Sequence, residues 1–147
     1  MDNVNHRLTS NDPFLAQVDI ELQRAERYRI FVSLIVLDLS FVKDLFPHQE
    51  ISIIDNLIQM IRKHIRTIDD VSKMEKEKLA LLFPETTRQG AEIASKRIVE
   101  QIKDYLSKIK NKKFEQVIPL EMASYPDAAG AKSITDFLKE YSEKNRN

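Results

Sequence analysis

Apolar positions along the chain change period several times, and each change marks an element. Asp12-Pro13 is a helix start: a capping carboxylate, then a proline whose missing N–H costs nothing there. Phe14, Val18, Leu22 and Ala25 follow as one apolar stripe ending near Tyr28. Ile30 to Leu39 is apolar at both parities and β-branched, the pattern of a central strand buried on both faces and ending near Asp38. After a turn at Phe46-Pro47-His48, Ile51, Ile54, Ile58, Ile61 and Ile65 recur at helical spacing. Val71 to Met74 and Leu79 to Phe83 flank the charged tip Glu75-Lys76-Glu77-Lys78, a hairpin pattern that Pro84 stops. Thr87 to about Lys110 reads as a long helix with Ala94, Ile98, Ile102, Tyr105 and Ile109 inward. Val117 to Ala123 is a weaker strand, because Pro119 lacks a ladder donor and suits an edge or bulge. Ser133 to about Lys144 closes the chain as a helix.

The order is helix, strand, helix, hairpin, helix, strand, helix, which predicts an α/β (α+β) fold. With no repeat and no linker, 1–147 is expected to be a single domain, and 42% hydrophobic residues suffice for its core. Lys plus Arg and Asp plus Glu stand at 23 each, so no overall field draws in nucleic acid or acidic lipid. The basic run Lys108, Lys110, Lys112 and Lys113 sits at a helix end, where it suits the dipole, and no aromatic row accompanies it. The longest apolar run, Ile30 to Leu37, is too short to span a bilayer, and the polar opening carries no signal peptide. Without cysteine there is no disulfide and no thiolate chemistry. These features point to a cytoplasmic protein with neither a nucleic-acid nor a membrane partner.

The only two glycines, Gly90 and Gly130, are too far apart to form a phosphate-cradling loop. Any bound nucleotide must therefore be held mainly by side chains. His6, His48 and His64 have no metal-ligand spacing, and a surface role is expected for each.

Particular stretches resemble the GGDEF (diguanylate cyclase) family. Glu21 to Tyr28 followed by Ser33 to Asp38 is similar to the family's ELxRAxRY…SLLLLDID opening, and Phe41 and Lys43 fall close to the Phe and Lys of its DxDxFK motif. Val71 to Pro84 aligns without a gap to a typical VARLGGDEFAVLLP, and Ala123-Ser124-Tyr125-Pro126 to the late ASYP. The resemblance spans roughly Phe14 to Leu138. It implies a central, mostly antiparallel sheet flanked by helices, as in nucleotidyl cyclases.

Departures from the family pattern fall on its chemistry. The two signature glycines are Glu75 and Lys76, Glu77 keeps a carboxylate, Lys78 reverses the charge of the fourth position, and Leu79 stands for Phe. Asp38 matches the first metal aspartate but Ser40 replaces the second acid. The guanine readers fall at about Phe46 and Ile51, and Glu121 replaces a glycine of the late strand. The terminal phosphate-binding helix is cut off or replaced by Tyr141 to Asn147. The resemblance thus implies a domain that is not an enzyme, with no catalytic residues, no metal site and no cofactor.

A second family site is retained. Arg66-Thr67-Ile68-Asp69 is separated from Glu75 by the five residues Asp70 to Met74, the spacing of the family's inhibitory RxxD, and Arg97 falls at the helix arginine that completes it. Guanidinium groups fork onto a guanine edge or a phosphate, and a carboxylate accepts the guanine N1 and N2 hydrogens. Arg66, Asp69 and Arg97 are therefore the candidate ligand-binding residues for cyclic di-GMP. The plainer account is a cation at a helix end, a turn-capping Asp and a solvated Arg.

Three readings stay open on the sequence. One is an inactive regulatory receptor for cyclic di-GMP, another a nucleotide-independent module for a protein partner in a bacterial signalling pathway. The third is a residual enzyme in which Asp38 and Glu77 hold Mg²⁺.

Overall fold

The structure is a computed structural model that describes residues 12–127 and 130–146. Helix α1 (Pro13–Tyr28) leads into strand β1 (Val32–Asp38), a short α2 (Val42–Leu45) and α3 (Glu50–Arg62). Strands β2 (Asp70–Met74) and β3 (Lys78–Pro84) flank a tight 3₁₀ turn at Glu75–Glu77. Helix α4 (Arg88–Lys110), β4 (Leu120–Tyr125), β5 (Lys132–Ser133) and α5 (Ile134–Arg146) complete the chain. The sheet runs β2-β3-β1-β4-β5, antiparallel except for the parallel pair β4–β5. This is the mixed α/β sheet flanked by helices that the resemblance implies.

Strand β1 is apolar at both parities because helices cover both faces of the sheet. Ile35 and Leu37, with Leu79, Leu81 and Phe83 of β3, pack under α3 and α4. Val32, Leu34 and Val36, with Ala80 and Leu82, pack under α1 and α5. Each face therefore takes alternate residues of the same two central strands.

Helix α1 begins where the sequence predicts: the Asp12 carboxylate accepts from the N–H of Phe14 at 2.7 Å, and Phe14, Val18, Leu22 and Ala25 are buried. Three expectations are corrected. In α3 the buried stripe includes Ile53 and Leu57, while Ile51 lies in the first turn with its side chain outward and Ile65 lies beyond the helix. In α4 the buried positions are Ala91, Ser95, Ile98, Ile102 and Leu106; Ala94 and Tyr105 flank the seam and Ile109 is exposed. Any run spaced by three and four fits one helix face, so spacing left this rotation ambiguous. The fourth strand starts at Leu120 rather than Val117, which is exposed. Pro119 precedes the strand, its carbonyl accepting the Asp38 N–H at 2.9 Å.

Candidate functional site

Arg66 and Asp69 form the turn that follows α3. The Arg66 N–H donates to the Asp69 carboxylate at 2.8 Å, and the Asp69 N–H returns a bond to the Arg66 carbonyl at 3.0 Å. The guanidinium then doubles the link: Nε lies 3.1 Å from Oδ2 and Nη2 2.8 Å from Oδ1. Nη2 also reaches the Pro84 carbonyl at 2.8 Å and the Thr86 hydroxyl at 2.6 Å. Arg66 thereby staples the α3–β2 turn to the β3–α4 turn. The hydrogen bond to Asp69 outweighs partial burial and, with the charges of Asp69 and Glu85, holds the guanidinium still more firmly protonated than usual.

These turns open onto a cavity of about 400 Å³. Ile65, Phe83, Ile93 and Ala94 supply apolar wall, and Arg66, Asp69, Glu85 and Arg97 supply charge. All three candidate ligand residues thus line one space, though 31 positions separate Arg66 from Arg97. Thr87 caps α4 by accepting the Gly90 N–H at 3.0 Å, and this helix start also faces the cavity. A Cβ on Gly90 would lie 3.2 Å from the Thr86 methyl and 3.3 Å from the Thr87 hydroxyl, so the glycine permits the tight cap. Arg97 is exposed and makes no hydrogen bond or ion pair among the described residues. Glu85 carries the opposite charge, but its carboxylate is taken by Arg24 of α1 at 3.0 Å.

The second candidate region is the β2–β3 tip. Lys76 and Glu77 both have positive φ, 59° and 56°, although neither is glycine. Glu75 and Lys76 are exposed, but Glu77 and Lys78 are half-buried, so the tip is less open than the sequence suggests. Lys43 Nζ lies 3.9 Å from the Glu77 carboxylate, and Lys78 pairs across the ladder with Asp38. Partial burial pushes the Asp38 carboxyl up. The Ser40 N–H at 2.9 Å, the Ser40 hydroxyl, Lys78 and Lys43 together pull it below its ordinary value. Lysine charges therefore stand beside both carboxylates that a metal would need. Among the described residues no group of three His, Cys, Asp or Glu side chains converges as a metal site. Nearby, Glu121 is held by Lys132, which also pairs with Glu140.

A family model described as diguanylate cyclase, GGDEF domain, matches residues 6–140. The chain belongs to the GGDEF family. Its fold is similar to the active GGEEF domain of a diguanylate cyclase from Vibrio cholerae, with TM-score 0.58 and 20% identity, covering 88% of this chain and 83% of that one. It also resembles the GGDEF domain of YfiN (TpbB) from Pseudomonas aeruginosa, with TM-score 0.62 and 16% identity over 95% and 88% of the two chains. A third relative in structure is the GGDEF domain of DgcB from Caulobacter crescentus, solved in complex with c-di-GMP. Its TM-score is 0.56, with 16% identity over 90% of this chain and 78% of that one. A search of curated proteins finds no significant match. No helix among the described residues is long and apolar enough to cross a membrane.

Within this GGDEF domain the two regions lie at different ends of β3: the signature tip at its start, the cavity beyond its end at Pro84. The sequence singles out Arg66, Asp69 and Arg97, which the structure places on one cavity, but no motif in it points to the Arg24–Glu85 pair or to Thr86. The Arg24–Glu85 pair spans 61 positions and belongs to no spacing motif. A charged residue directly after the strand-ending Pro84 was the one available hint. His64 is exposed at the cavity edge, with Nδ1 2.8 Å from the Met60 carbonyl; His48 is exposed, and His6 lies outside the described residues.

Proposed function

We propose that this GGDEF domain has lost cyclase activity and serves as a regulatory receptor for cyclic di-GMP at the cavity lined by Arg66, Asp69 and Arg97. One observation carries the reading: the turn pair Arg66 and Asp69 and the distant Arg97 line a single cavity, and Arg97 is a cation with no partner among the described residues. A free guanidinium on the wall of a cavity that also takes in the start of α4 favours an anion with a flat acceptor edge, which a guanine nucleotide offers. The related DgcB domain was solved with c-di-GMP, which supports the choice of ligand.

Binding exchanges partners within the turn. Arg66 swings from Asp69 towards phosphate, and the freed Asp69 carboxylate accepts the guanine N1 and N2 hydrogens. Calorimetric titration tests this. Arg66→Ala, Asp69→Ala and Arg97→Ala are each expected to weaken binding roughly ten- to a hundred-fold, the worth of a charged hydrogen bond. Glu77→Ala, at the other end of β3, is expected to leave affinity unchanged. No heat and no melting shift at high micromolar ligand would overturn the receptor reading.

Loss of cyclase activity rests on side chains where the family has backbone glycine and on lysines beside Asp38 and Glu77. Purified protein with GTP and Mg²⁺ or Mn²⁺ is expected to yield no cyclic di-GMP. Product formation sensitive to Glu77→Ala would reverse this.

One observation favours a second reading, the nucleotide-independent module for a protein partner in cytoplasmic bacterial signalling. Both Asp69 oxygens are already engaged by Arg66, so the pair has a purely structural use. That reading expects no ligand effect on stability.

A further inference from the structure

We propose that the Glu85 carboxylate is a built-in opponent of an anion in this cavity, and that its pair with Arg24 of α1, which a bound anion tightens, carries the binding signal to that helix. The inference rests on the cavity being a ligand site, and it adds how the site is gated and where binding is read.

Glu85 sits directly after Pro84, the last residue of β3, and its φ of 53° is left-handed. Only glycine takes that conformation freely, so a glutamate persists there against backbone preference. Its side chain does two things from that position. It forms part of the cavity wall beside Thr86 and Arg66, and it crosses to α1, where Oε2 meets Arg24 Nη2 at 3.0 Å. Both partners are about half exposed, at 42% and 49%, so the pair is open to exchange with solvent and ligand. Arg24 is also paired through its other terminal nitrogen with Glu21, at 3.5 Å on its own helix.

The electrostatics follow from the wall charges. Arg66 is neutralised by Asp69, and Arg97 is the cation left to attract an anion. A carboxylate on the same wall opposes that anion. Glu85 also acts on Arg66 through space, adding to the charges that hold it protonated. An incoming phosphate and the Glu85 carboxylate therefore repel one another, and Arg24, which draws the carboxylate to α1, lowers that penalty. A bound anion drives the Glu85 carboxylate further onto Arg24, so α1 is held more firmly to the β3–α4 turn.

Titrations with cyclic di-GMP of the native protein, Glu85→Gln and Arg24→Gln, at low and high salt, test the gate. Glu85→Gln keeps the shape and removes the charge, so binding is expected to tighten roughly five- to tenfold at low salt, with the gain shrinking at high salt. Arg24→Gln leaves Glu85 without its neutralising partner and is expected to weaken binding by a similar factor. Hydrogen exchange supplies the second readout. Amides in the C-terminal half of α1 are expected to exchange more slowly when ligand binds the native protein. In Arg24→Gln they are expected to be fast already and unresponsive to ligand. Binding by Glu85→Gln alone, abolished by adding Arg66→Ala, would support both the gate and the receptor reading. Native binding that Glu85→Gln leaves equal or weaker would overturn the gate and spare the receptor. No heat from any of the three proteins would overturn both.

Discussion

Arg66 and Arg97 bring the same charge to one cavity in different states, and substitution should separate them. Arg66 holds Asp69, whose side chain is 3% exposed, and also a backbone carbonyl and a hydroxyl. Removing Arg66 leaves a nearly buried carboxylate short of donors, which typically costs about 1–3 kcal/mol. Arg66→Ala is therefore expected to lower unfolding stability by about 1–2 kcal/mol, because half of the arginine itself is solvated. Arg97→Ala, with no partner to lose, is expected to stay within about 0.5 kcal/mol. Urea titration of both variants checks the contrast; equal costs would mean that Arg97 is packed. Asp38 offers a pH test. Its carboxyl is held below its ordinary value, so the native state binds that proton less readily than the unfolded chain. Its contribution is complete above the unfolded pKa and is lost as pH falls through the folded one. Asp38→Asn is expected to flatten the loss of stability below about pH 4, and an unchanged acid limb would show that the ladder lysine and Ser40 do not act on it.

At the scale of elements, the β2–β3 tip holds two successive non-glycine residues in left-handed backbone. Each costs roughly 1–2 kcal/mol relative to a glycine there, partly offset by the greater freedom glycine has when unfolded. Lys76→Gly is thus expected to raise stability by about 0.5–1 kcal/mol in thermal or urea unfolding. A loss instead would show that the lysine side chain has work at the tip. Charge reversal divides the tip in the same way. Lys76→Glu, at an exposed position, is expected to change stability by about 0.5 kcal/mol or less. Lys78→Glu sets a like charge across from Asp38 and is expected to cost up to about 1 kcal/mol. The helices show how far pattern reading carries. Helix α1 was legible end to end because one acid, one proline and a single stripe agree. In α3 and α4 spacing by three and four gave the helix but not its rotation, which is set by where the sheet ends beneath it.

For the whole molecule, the sheet is covered on both faces, so stability belongs to one three-layer unit. Ile61, with no exposed surface among the helices packed on β1 and β3, is expected to cost about 2–5 kcal/mol on truncation to Ala, measured by urea unfolding. A cost below 1 kcal/mol would mean that this layer collapses to fill the void. The order of the main elements (all but the short α2 and β5), the two-sided burial of β1 and the family were readable from the chain, because period, turn chemistry and short motifs are local properties. The candidate triad was readable for the same reason, since RxxD and the helix arginine keep fixed offsets from the hairpin. Local pattern was silent on the state of those residues. Only the packed structure shows Arg66 spent on Asp69, Arg97 unpaired among the described residues, and lysines set beside Asp38 and Glu77. It alone brings Arg24 to Glu85 across 61 positions. Which charges neutralise one another depends on distances between elements, and those are decided when the helices dock on the sheet rather than along the chain.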